Sequence, residues 1–198
     1  MSITQERKIE LEKQRREQIL GAALGLFFEN GYANTTMSDI AVAAGISKGL
    51  IYHYFKNKAE VLFSYEENLQ ECLDEIALLP TPKATIREFG RRFLLRELDE
   101  SGYIPPLQVF VIVFARGEMD HPEFADRNPL YKDLGRTYFG PLFKKGMELG
   151  EFKQGNPEVF GDIYWHYLLG NIMEIVQDRK NPNIATPDLD TLLDLFSV

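Results

Sequence analysis

The chain has 198 residues, 44% of them apolar and 12% aromatic, with a formal net charge of −8. That composition can build a sizeable core and excludes a disordered or low-complexity chain. The one cysteine, Cys72, leaves no intramolecular disulfide and no thiolate metal site. The first twenty residues are heavily charged and the longest apolar run, Val109–Ala115, is far too short to span a bilayer. A cytoplasmic protein without a membrane partner is expected.

The charge is unevenly spread. Residues 1–58 carry eight Lys/Arg and six Asp/Glu, a net +2, whereas the remainder carries 14 basic and 24 acidic residues, a net −10. A mildly basic N-terminal segment on an acidic body suits local contact with a polyanion.

Helical periodicity dominates from the start. Between Arg16 and Phe28, apolar residues at Ile19, Ala22, Ala23, Leu26 and Phe27 line one helix face, and Asn30-Gly31 ends it. Thr36 can cap a second helix, with Asp39 three residues later and an apolar face of Met37, Ile40, Ala41 and Ala44. Gly45 breaks that helix and can take the positive φ of a tight turn. Ser47 is the next cap, opening a short helix with Leu50, Ile51, Tyr54 and Phe55. Asn57-x-x-Glu60 starts a fourth, with no breaker before about Leu79. Pro80 and Pro82 end it. Further helices are expected near 83–99, 105–118, 123–149, 157–179 and 187–197, the third of these broken or kinked by Pro129, Gly135, Gly140 and Pro141. No run of alternating residues argues for a sheet. The expected fold is all-α, about nine helices: a three-helix headpiece over residues 1–58 and a helical body over 59–198.

Residues 36–55 place two short helices around Ala44-Gly45-Ile46, with Ile46 and Ile51 plugging the angle between them. This is the requirement of a helix-turn-helix. The second helix turns Ser47, Lys48, Tyr52 and His53 outward, and a major groove admits such a helix. Lys58 opens the following helix, where a cation can neutralise a phosphate. The charged arm at residues 6–17 reads as a solvated helix face or as a groove or phosphate contact.

Thr35-Thr36-Met37-Ser38-Asp39-Ile40-Ala41, Ala44-Gly45-Ile46-Ser47-Lys48-Gly49 and Ile51-Tyr52-His53-Tyr54-Phe55-Lys56-Asn57-Lys58 resemble the TetR-family headpiece signature, over about residues 13–65. The resemblance implies a double-stranded DNA operator as partner, contacted by Thr36, Ser38, Ser47, Lys48, Gly49, Leu50, Tyr52, His53, Tyr54 and Lys58. Ser38 replaces an arginine that many members use to read a base. Tyr54 stands where a histidine is more common, with His53 one place earlier. Thr36, Ser47 and Asn57 also stand as plain helix caps, and Tyr54 as a core residue with its hydroxyl exposed.

The resemblance further implies a ligand-responsive repressor: a homodimer whose body binds a small-molecule effector of unknown identity and thereby releases the operator. Phe93, Phe110, Phe114, Tyr138, Trp165 and His166 are candidates to line the effector site. Helix 157–179 is apolar on two sides and so is expected to be buried on two sides. Tyr164, Tyr167 and Gly170, with Leu192 and Phe196 of the last helix, are therefore candidates for a four-helix dimer interface, or alternatively for plain core. His53, His121 and His166 fall into no catalytic or metal-ligating arrangement, so no enzyme, metal or cofactor is expected.

Overall fold

The computed structural model describes residues 3–94, 133–177 and 188–198. These are helical apart from turns. Among them the one bridge of β type is the isolated antiparallel pair Phe152–Ser197. The described chain divides into two compact units, one running to Asn68 and the other beginning at Leu69.

The first unit starts with α1 (Ile3–Asn30). Residues 5–14 are exposed, and burial begins at Ile19, continuing through Ala23, Leu24 and Phe27. Helix α2 (Met37–Ala43) begins where sequence local chemistry places it. The Thr36 side chain accepts from Asp39 N while Asp39 accepts from Thr36 N at 2.9 Å, a reciprocal capping box. The Thr36 hydroxyl donates to the same carboxylate and holds the exposed Asp39 below the usual carboxylate range. At the other end, Gly45 has φ +64°. Its N–H donates to Val42 O at 3.0 Å and that of Ile46 to Ala41 O at 2.9 Å. That pair of bonds is a Schellman stop, which demands a left-handed residue at position 45.

Helix α3 (Lys48–Tyr54) is capped by Ser47 and α4 (Lys58–Phe63) by Asn57. The expectation of one helix from Lys58 to about Leu79 is corrected: a turn at Ser64 separates α4 from α5 (Tyr65–Ile76). The Ser64 hydroxyl donates to Val61 O at 2.7 Å. Serine side chains compete with the helical ladder in this way. Helix α4 packs on α1 through an element whose Ala59, Val61 and Leu62 are buried. The headpiece unit accordingly extends past residue 58 to Asn68.

The second unit contains α6 (Pro82–Leu94), a π-helical turn (Gly135–Phe139) running into α7 (Gly140–Glu148), α8 (Pro157–Gln177) and α9 (Leu189–Asp194). Of the stretch 123–149 expected to be interrupted, residues 123–132, with Pro129, lie outside the described residues; in the rest the interruption is this π turn. Its defining bond runs from Gly140 N to Gly135 O. Gly161 of α8 lies against that bond: a Cβ on it would stand 2.0 Å from Gly135 O and 2.8 Å from Gly140 N. The core is aromatic. Phe139 contacts Phe89 at 4.9 Å and Tyr164 at 4.8 Å between centroids, and Phe93 meets Trp165 at 5.4 Å. The expected helix 105–118 lies outside the described residues.

A charge network braces α6. Glu88 accepts from Arg91 and Arg92, each at 2.8 Å, and Arg92 also pairs with Glu75 of α5 at 2.8 Å. The Arg91 hydrogen bond is the main cause that holds Glu88 down at about 2, against burial that opposes it. A carboxylate depressed by folding stabilises fully above its unfolded value of 4.5 and loses that contribution as pH falls towards 2. Acid denaturation monitored by circular dichroism is therefore expected to show a drop in stability across that window, and Glu88→Gln to flatten it.

Candidate nucleic-acid interface

The surface that could meet a duplex is the outer side of α3. Ile51 is fully buried and anchors the helix, while Lys48, Gly49 and His53 are exposed. Leu50 keeps 38% and Tyr52 49% of its surface, high for residues of their size. Ser47 is exposed and accepts from Leu50 N at 3.2 Å, so its hydroxyl already serves as a cap. His53 meets Tyr54 edge-on at 5.2 Å, and Tyr54 is half-buried. Thr36 is exposed at the start of α2, and Ser38, the second residue of that helix, is half-buried.

Lys58 departs from the expected phosphate contact. Its ammonium donates to the carbonyls of Tyr32 at 2.8 Å and Thr35 at 3.1 Å, with Ala33 O at 3.4 Å, and lies over the Tyr32 ring at 4.3 Å. A lysine ammonium has three protons. Here they organise the loop that carries Thr36 to the surface.

Two α1 side chains outside the predicted site also join the motif. Arg16 reaches the last carbonyl of α3 and Gln18 the C-cap carbonyl of α2. Their partners are backbone atoms 38 and 26 residues away, and no spacing in the sequence signals such a pair.

In the second unit the expected sites divide. Phe93 and Trp165 are buried among Phe89 and Phe139. Tyr138 meets Phe89 at a tilt and Phe139 edge-on, and its buried hydroxyl has no hydrogen-bond partner among the described residues. Burial pushes that phenol up to about 12. His166 is corrected: it is exposed, its Nδ1 2.7 Å from Asp162 O, while its neighbour Trp165 is buried. Phe110 and Phe114 lie outside the described residues.

The dimer candidates are corrected in part as well. Tyr164 is fully buried and donates to Ile86 O at 2.6 Å, so it belongs to the unit's own core. Leu192 and Phe196 are buried too, Phe196 against Phe143 and Phe160. Tyr167 is half-buried and Gly170 exposed with nothing within 4 Å of a Cβ. Beside them on the outer face of α8, Val159 and Ile163 each expose 47%. Among the described residues no His, Cys, Asp or Glu cluster could hold a metal, and no helix is long and apolar enough to cross a membrane.

Two capped helices joined by a Schellman turn, with a polar outer face on the second, define a helix-turn-helix domain. Residues 19–65 match the family model for bacterial regulatory proteins of the tetR family. Residues 19–65 are thus a helix-turn-helix segment of that family's type. The chain is 36% identical over 90 residues to the HTH-type transcriptional regulator TtgR of Pseudomonas putida, which covers 44% of this chain and 43% of TtgR. The aligned part thus spans less than half the length of that relative. The fold is shared more widely. A gamma-butyrolactone receptor (ArpA-like protein) superposes with a TM-score of 0.62 at 21% identity, over 86% of this chain and 79% of its own. AibR in complex with isovaleryl coenzyme A and operator DNA gives 0.59 at 21% identity, over 91% and 94%.

Proposed function

We propose that this protein is a transcriptional repressor, not an enzyme. It binds a pseudo-palindromic DNA operator as a homodimer and is released by a small molecule held in its second unit. The observation that carries the reading is the outer face of α3, where Lys48, Tyr52 and His53 stand exposed on a helix anchored by Ile51. Lys48 and Tyr52 contact phosphate, Gly49 lets the backbone approach closely, and Leu50 and His53 meet base edges. Ser47 and Thr36 place N-terminal helix amides near the backbone of the duplex, where anions are favoured. Ser38 and Tyr54 flank that face. Lys58 acts by shaping the Thr36 loop. The structural relative captured with operator DNA and an acyl-coenzyme A supports both partners.

The effector site is proposed beside Phe93, Tyr138 and Trp165. A buried hydroxyl without a partner is costly, Tyr138 has none among the described residues, and a ligand that hydrogen-bonds it would recover that cost. The dimer is proposed to form across the outer face of α8. Its Val159, Ile163 and Gly170 are exposed beside the half-buried Tyr167. Ile163→Glu is expected to shift sedimentation from dimer to monomer at micromolar concentration, with the thermal melt retained; an unchanged dimer would place the interface elsewhere.

Selection of duplexes from a randomised library, followed by footprinting, tests the reading. Two protected half-sites about 34 Å apart, or a multiple of that, are expected. Uniform protection with no selected sequence would refute it.

A further inference from the structure

Two side chains of α1 hold the ends of the motif helices. Arg16 donates from Nη1 to the carbonyl of Tyr54, the last residue of α3, at 2.9 Å. Its guanidinium also lies 4.3 Å over the ring of Phe55. Gln18 donates from Nε2 to the carbonyl of Ala44, the C-cap of α2, at 2.8 Å. Arg15 Nη1 donates to Gln18 Oε1 at 2.7 Å. That bond occupies the amide oxygen and leaves the nitrogen facing Ala44.

The last carbonyls of a helix have no partner within it, and a cation there also meets the negative end of the dipole. Helix α3 has seven residues, too few to persist without outside support. Ser47 caps its start, and Arg16 closes its end. Both Arg16 and Gln18 precede residue 19, where the family match begins, so that match does not account for them.

We propose that Arg16 and Gln18 are positioning residues for DNA recognition, locking the C-terminal ends of α2 and α3 to α1 so that the outer face of α3 is held at one angle. The proposal rests on the DNA-binding reading. Base edges are read only within a narrow tolerance of angle and distance. Attraction to phosphates is far less demanding and sets non-specific binding. A loosened α3 therefore loses discrimination first.

The test uses the full chain and two duplexes of equal length, one selected from a randomised library and one of unrelated sequence. Gln18→Leu and Arg16→Lys both preserve formal charge; Lys also keeps a cationic N–H donor, though not the planar guanidinium, and so is the milder change at its site. The double variant is expected to bind the selected duplex on the order of 10-fold more weakly and the unrelated duplex as before. Arg16→Lys alone should fall between wild type and the double variant. Hydrogen exchange of the α3 amides should accelerate on the order of 10-fold, while those of α4 stay protected. Equal losses on both duplexes, or unchanged binding and exchange, would overturn the proposal. A wild-type protein that favours no duplex would instead fail the DNA-binding reading, and exchange at α3 would still decide the clamp.

Discussion

Gly161→Ala is expected to destabilise the second unit by roughly 2–4 kcal/mol and to lower its melting temperature by roughly 10–20 °C. The added methyl would stand 2.0 Å from Gly135 O and 2.8 Å from Gly140 N. Those two atoms are the acceptor and donor of the bond that defines the π turn. Neither is the far end of a flexible side chain, so relief requires α8 to move away from the turn or the turn to break. Alanine's intrinsic preference over glycine in a helix, at most about 1 kcal/mol, is too small to compensate. Gly25→Ala in α1 is the control. Nothing lies within 4 Å of a Cβ there, and a small gain is expected. A differential scanning experiment that found Gly161→Ala as stable as wild type would show that the π turn and α8 do not meet as described.

Removing the outer groups of α3 should have an equally large effect on a different property. Lys48→Ala with Tyr52→Ala is expected to weaken binding to a selected duplex about 100-fold, or about 2.8 kcal/mol, without changing the melting temperature. Both residues are exposed, and Ile51 beneath them stays in place. Exposed substitutions of this kind seldom shift stability by more than about 0.5 kcal/mol. Fluorescence anisotropy at fixed salt measures the loss. Unaltered affinity would assign DNA contact to some other surface.

The features legible in the sequence are those set by near neighbours. Thr36, Ser47 and Asn57 cap the helices they were expected to cap, because a capping oxygen meets an amide three residues away. The positive φ of Gly45 was legible for the same reason. The break at Ser64 was not, since no Pro or Gly marks it and apolar residues continue through Val61, Leu62 and Phe63. Helix α8 shows the limit most clearly. It is apolar on several sides, so periodicity could not tell the buried Tyr164 from the exposed Ile163 or turn His166 outward. Lys58 and Arg16 illustrate a further limit: both satisfy carbonyls more than twenty residues away, and a charged residue's sequence neighbours do not disclose such partners.

The most direct measurement is the affinity of the purified protein for its selected duplex between 50 and 200 mM salt, for wild type and Lys48→Ala; the range is one over which phosphate-driven binding changes by orders of magnitude. A linear fall of log affinity with log salt is expected, with the Lys48→Ala slope shallower by about 1. Identical slopes for both proteins, or no measurable duplex binding at the lowest salt, would contradict the assignment of α3 as the surface that enters DNA.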